Sequence, residues 1–293
     1  MSTEPSPHRA EPDVHVQFTD VDGATARYTG GGHGPVVVFL HGWGLGHHAY
    51  RRGLRRLAVA GFRVIAPALP GFGATPDLAI GGRTFAGYAA WVARFVESID
   101  LGPFVVVGHS FGGGVAAQLC ADRPDLVRGL VMMNAVGGSW KSQRGVQHQM
   151  SQRPLWDWGR SIPKDVLALF GAAGSTMPNV LEDLIPNVVR NPFGVAKVGR
   201  LARAADLRDQ FAVIRSRRLP VAVVHSEGDA VIPKTSFDHV CQDLAVEGQL
   251  VPGNHSWPLT APQMFADIVA SFIRDEIGAV VPRGLSPADH EMR

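Results

Sequence analysis

The chain predicts a doubly wound α/β domain: an eight-stranded, mostly parallel sheet flanked by helices, with a helical segment inserted late in the order. Three observations carry this. Apolar, β-branched runs bounded by Gly or Pro recur along the 293 residues. Stretches of helical periodicity lie between most of them, and the alternation lapses once, between Gly137 and Arg218. Strands that alternate with helices build a parallel sheet, because each helix carries the chain back to start the next strand in the same direction.

In order, HVQFTD and ARYTG flank the turn VDGA and read as an antiparallel pair. PVVVFLHG (Pro35 to Gly42), FRVIAPA (Phe62 to Ala68), FVVVGH (Phe104 to His109), GLVMMNAV (Gly129 to Val136), PVAVVHSEGD and GQLVPG supply the other strands. VVVFL and FVVVG lack polar alternation, which suits strands covered on both faces. Helical readings over Tyr50 to Val59, Phe85 to Ile99, Phe111 to Ala121, Lys234 to Leu244 and Ala261 to Ile277 are each long enough to cover part of a sheet face.

These elements assign 14–137 and 219–280 to the core. Residues 138–218 read as a helical cap in which Trp140, Trp156, Trp158, Phe170 and Phe193 either pack a local core or line an apolar pocket. The polar, Pro-containing ends, 1–13 and 281–293, are expected to stay mobile.

A hydrophobic content of 45% supports a large buried core. The net charge of +2 asks for no nucleic-acid or polyanion partner. Cys120 and Cys241, both in helical segments, do not make a disulfide framework and read as reduced thiols. The opening MSTEPSPHRAEPD lacks the apolar core of a secretory signal, and no run approaches the ~20 residues of a membrane span. A cytoplasmic protein is expected, and the use of Arg for all but four of 28 basic residues suggests a bacterial, GC-rich source.

The chemistry concentrates at Gly108-His109-Ser110-Phe111-Gly112, a G-x-S-x-G between an apolar strand and a small-residue helix. A nucleophile there needs a sharp turn at strained, positive φ, costing about 1–3 kcal/mol, and glycines two residues either side let strand and helix close around it. A serine hydroxyl also needs a base. Adjacent side chains diverge at such a turn, so His109 reads as packing beside it. His255, in the GNHSWP loop before the last helix, is placed to return over the strand ends.

A carboxylate must then hold the imidazole. Asp229 in HSEGDAVIP is favoured, with Glu227 its rival, and the end of the sixth strand offers Asn134 rather than an acid. Backbone donors for a tetrahedral oxyanion are expected from Phe111, directly after the nucleophile, and from Trp43 in HGWG. His41, His47 and His48 suit this loop role better than metal ligation. The dinucleotide and phosphate-loop patterns fail, so neither cofactor nor metal is expected.

With HGWG, PGFG (Pro70 to Gly73), GHSFGG, GDAVIP and GNHSWP in this order, the chain resembles the α/β-hydrolase fold superfamily over about residues 14 to 279, in its serine-nucleophile, esterase- and lipase-like branch. The resemblance implies a Ser110, Asp229 and His255 triad with the Trp43 and Phe111 amides as oxyanion hole. The serine sets aside the branches with an aspartate nucleophile. One departure is Ala68, two residues before PGFG, where many relatives carry an aspartate.

The expected activity is hydrolysis of a carboxylic ester of a small or medium-sized molecule through an acyl-enzyme. Trp140, Trp156, Trp158, Arg190 and Trp257 are candidate substrate contacts. Arg190 prompts an alternative, carbon-carbon bond hydrolysis of ring-cleavage products with the arginine on a substrate carboxylate. A non-catalytic ligand-binding homologue is the other alternative.

Overall fold

The computed structural model describes residues 14–138, 140–141, 147–148 and 177–278. The expected mobile ends, 1–13 and 281–293, lie outside them. Eight strands form one sheet: β1 (Val14–Val21), β2 (Ala24–Gly31), β3 (Val36–Leu40), β4 (Arg63–Pro67), β5 (Phe104–His109), β6 (Val127–Met133), β9 (Val221–Ser226) and β10 (Gln249–Val251). Their spatial order is β1-β2-β4-β3-β5-β6-β9-β10. β2 pairs antiparallel with β1 and β4, while every pair from β4 to β10 is parallel.

Both faces are covered, as the unbroken apolar runs require. Val37, Phe39, Val105 and Val107 point into one core with Leu54 and Leu57 of α1 (Arg51–Val59) and Phe265 and Val269 of α9 (Pro262–Glu276). The alternate residues Val38, Leu40 and Val106 enter the other, with Phe95 of α2 (Phe85–Ser98) and Val115 of α3 (Phe111–Asp122). α7 (Lys234–Leu244) adds Val240 to that second core, and the short α8 (Trp257–Thr260) precedes α9. The period-2 pleat thus divides each central strand between two cores, and each fully buried Val or Phe contributes about 1.5–3 kcal/mol.

Between β6 and β9 the described residues form β7 (Trp140–Lys141) paired antiparallel with β8 (Gln147–His148), then α4 (Met177–Arg190), α5 (Pro192–Arg203) and α6 (Arg208–Ser216). The sequence reading expects no strand here, because two-residue strands leave no alternation to detect. It also assigns α6 to the cap. Phe211 and Ile214 of α6 lie in the same core as Val115 of α3, and so do Val195, Val198 and Ala202 of α5. An amphipathic helix gives the same pattern whichever layer receives its apolar side.

β3 lies between β4 and β5, so successive crossovers leave it in opposite directions. The carboxyl ends of β3 and β5 flank the resulting crevice, the place where open α/β sheets bind ligands. The HGWG loop leaves β3 there, and Ser110 leaves β5.

Candidate active site

Ser110 forms the whole junction between β5 and α3, with φ 54° and ψ −117°. Its N–H donates to the Met133 carbonyl at 3.0 Å, and its carbonyl accepts from Gly113 at 3.0 Å and Val136 at 3.2 Å. A Cβ at Gly108 would sit 2.4 Å from the Gly112 carbonyl oxygen, and one at Gly112 would sit 2.2 Å from that of Leu40. Only glycine fits at either place, so the pattern follows from backbone approach alone.

The loop after β10 brings His255 Nε2 to 3.0 Å from Ser110 Oγ, and His255 Nδ1 lies 2.8 Å from Asp229 Oδ2. Asp229 follows β9, and its side chain is fully buried. Its Oδ1 accepts from the amides of Val231 at 2.7 Å and Ile232 at 2.8 Å. Burial works to raise this carboxyl, but the neighbouring His255 and these donors hold it below the usual carboxylate range. Glu227 is exposed and makes no part of this line.

Asn134, read from sequence only as a missing acid, organises the same corner. Its Nδ2 donates to Asp229 Oδ2 at 2.6 Å and to Ser226 Oγ at 2.7 Å, while its Oδ1 accepts from the Ser226 amide at 3.1 Å and the Trp257 indole at 2.9 Å. Its φ of 45° turns the chain out of β6, a conformation asparagine tolerates better than most side chains. A polar residue ending an apolar strand beside the expected acid is the signal that could have found it.

His109 points away from the Ser110 hydroxyl, between Tyr50 and the His255 loop. Tyr50 Oη lies 2.7 Å from its Nδ1, and its Nε2 lies 2.9 Å from the His255 carbonyl oxygen. A carbonyl only accepts, so Nε2 carries the proton and Nδ1 accepts from the tyrosine. Burial, with the adjacent His255, lowers the pKa of His109 to about 3 and keeps it neutral.

The loop after β3 runs directly past the serine: a Cβ at Gly42 would lie 3.4 Å from Ser110 Cβ. His41 Nδ1 donates to the Gly42 carbonyl at 2.9 Å, and its Nε2 accepts from the Leu69 amide at 2.9 Å. That carbonyl shares a peptide plane with the Trp43 N–H, so His41 fixes the plane of one expected oxyanion donor. The Phe111 amide belongs to the first turn of α3, where helix N–H groups lack intrahelical acceptors. Phe111's ring is fully buried against Phe85 and Tyr88. Trp43 is partly exposed, and its indole donates to the Val195 carbonyl at 2.6 Å.

Of the expected substrate contacts, the described side chains are those of Trp257 and Arg190. Trp257 is fully buried in the core on the α1/α9 face, where its indole donates to Asn134; an indole beside a site residue reads the same in sequence whether it faces a cavity or the core. Arg190 ends α4 as an exposed side chain, and Phe193 is 87% exposed. Trp140 lies in β7, and its side chain, like Trp156, Trp158 and Phe170, falls outside the described residues. Ala68 is fully buried. A Cβ at Gly73 would lie 2.7 Å from its methyl, so the loop closes tightly over this alanine.

Among known proteins, the chain is 38% identical to the dihydrolipoyllysine-residue acetyltransferase component of the acetoin cleaving system of Cupriavidus necator over 172 residues, 58% of this chain and 44% of that protein. It therefore spans less than half of that relative's length. The pimeloyl-[acyl-carrier protein] methyl ester esterase of Yersinia pseudotuberculosis is 30% identical over 82% of this chain and 93% of its own. The crystal structure of a bromoperoxidase from Bacillus anthracis superposes with a TM-score of 0.72, covering 89% of this chain and 100% of that one at 19% identity. Residues 35–256 match the family described as alpha/beta hydrolase fold. With its sheet order, its serine turn and this match together, the chain belongs to the α/β-hydrolase fold family.

Proposed function

We propose that the protein is a serine hydrolase that cleaves a carboxylic ester of a small or medium-sized substrate. The observation that carries the reading is the continuous line from Ser110 Oγ through His255 to Asp229, with contacts of 3.0 and 2.8 Å. In this reading His255 Nε2 takes the Ser110 proton as Oγ attacks the ester carbonyl. The amides of Trp43 and Phe111 receive the oxyanion, and buried, ionised Asp229 stabilises the imidazolium. His255 then protonates the leaving alcohol, and water, deprotonated by the same ring, releases the acid.

The esterase among the relatives supports an ester substrate. The segment between β6 and β9 is read as a cap beside the crevice. The exposed position of Arg190 lends no support to carbon-carbon bond hydrolysis.

A fluorophosphonate probe tests the reading. Labelling of Ser110 in the intact protein, absent in Ser110→Ala, together with turnover of short p-nitrophenyl esters, is the expected result. An unlabelled protein, inert towards those esters, overturns it, and an ester bound and released unchanged points instead to a binding homologue.

A further inference from the structure

α4 turns its polar side inward. Asp183 and Asn187, one helical turn apart, are 2% and 4% exposed, whereas Leu181, Ile185, Val188 and Val189 face outward. The buried pair does not satisfy its own helix. Asp183 Oδ2 accepts from the amides of Gly46 at 3.0 Å and Ala49 at 2.8 Å. Asn187 Nδ2 donates to the carbonyls of Gly44 and Leu45, each at 3.1 Å, and its Oδ1 accepts from the Gly73 amide at 2.8 Å. Both amide hydrogens and the amide oxygen are thus committed to two loops. The Trp43 indole adds its bond to Val195 of α5, and the absence of a Cβ at Gly199, which would lie 3.1 Å from the ring, makes room for it.

The loop carrying the Trp43 amide is therefore held at both ends by different parts of the fold. His41 and Tyr50, from the sheet layer, hold Gly42. The β6–β9 segment holds residues 43 to 46 and 49.

We propose that Asp183 and Asn187 are positioning residues for oxyanion stabilisation, setting from the inserted segment the loop that presents the Trp43 amide. The inference rests on the serine-hydrolase reading. An N–H donor acts in a transition state only when it points at the oxygen that gains charge, so releasing residues 44–46 costs turnover more than substrate affinity. Both groups act through the loop and need no contact with substrate.

The test measures ester turnover, Ser110 labelling, thermal stability and amide hydrogen exchange over residues 42–49 in four variants. Asn187→Ala is expected to lower kcat roughly 10- to 100-fold, the scale of a misplacement near 1 Å, with KM changed less than about threefold and faster exchange in the loop. Asp183→Ala behaves alike. Asp183→Asn, whose amide oxygen still accepts both loop N–H groups, keeps kcat within about threefold of wild type. Asn191→Ala is the control. Asn191 continues the same polar stripe but bonds Asp77 and Gly194 rather than the loop, so its loss lowers stability and leaves kcat within about twofold.

An active wild type whose Asn187→Ala and Asp183→Ala forms match it in kcat overturns the inference and leaves the hydrolase reading standing. A loss in Asn191→Ala equal to that in Asn187→Ala also overturns it, since general destabilisation then explains both. An unlabelled, inert wild type overturns the hydrolase reading and the inference with it.

Discussion

His109 Nε2 donates to the backbone carbonyl of His255 at 2.9 Å, so the residue before the nucleophile holds the peptide of the residue that bonds it. Through Tyr50, whose hydroxyl also accepts from the Gly42 amide at 3.3 Å, the same chain of bonds reaches the loop after β3. Tyr50→Phe leaves His109 Nδ1 buried without its donor. It is expected to lower unfolding stability by about 1–3 kcal/mol, read from urea denaturation.

Asp229→Asn presents an amide where His255 Nδ1–H needs a charged acceptor. Its kcat on a short ester is expected to fall by roughly 10⁴, the scale seen when this group loses its charge elsewhere, with the fold retained by circular dichroism. Asn134→Ala removes one donor from the ionised form of Asp229, which raises that pKa. Its loss of kcat/KM is therefore expected to be larger at pH 5 than at pH 8.

Gly112→Ala places a methyl 2.2 Å from the Leu40 carbonyl, between two backbones that have no rotamer to change. Overpacking of this kind costs about 1–3 kcal/mol where side chains adjust, and more where only backbone can move. The variant is expected to be poorly soluble, or to melt well below wild type in a thermal scan.

Acid should destabilise the protein below neutrality. Burial lowers His41 to about 4 and His47 and His109 to about 3, whereas the unfolded chain protonates histidine near 6.5. Between those limits the unfolded state binds more protons, so stability rises with pH across the window and falls as pH drops through it. Each ring contributes up to about 1.4 kcal/mol per pH unit. His47→Asn is expected to flatten the pH dependence of urea stability between pH 6 and pH 4 relative to wild type.

Much of this architecture is legible in the sequence because the central strands have no polar side to obscure them. Val36 to Leu40 and Phe104 to Val107 are apolar on both faces, and glycines at 108 and 112 announce a turn that no other residue could occupy. Ser110, His255 and Asp229 stand out because each polar group ends or follows a strand, in a consistent order. What escapes is whatever depends on the partner rather than on the element. Trp257 gives no sign of which side its indole faces, and Asn134 reads as an absent acid until Asp229 lies against it. α4 escapes for a stronger reason: Leu181, Ile185, Val188 and Val189 face outward while Asp183 and Asn187 face inward, so hydrophobic periodicity misleads about which side of the helix packs.

That reversal sets how the attachment of α4 responds to temperature. Apolar burial carries a large heat-capacity change and weakens on cooling. Asp183 and Asn187 instead fasten the helix to residues 44–46, 49 and 73 through amides and carbonyls, with Val180 as a buried apolar contribution from its first turn. The hydrogen bonds of this seam therefore depend less on water structure than apolar packing does, and they should hold in the cold while the sheet's own cores loosen.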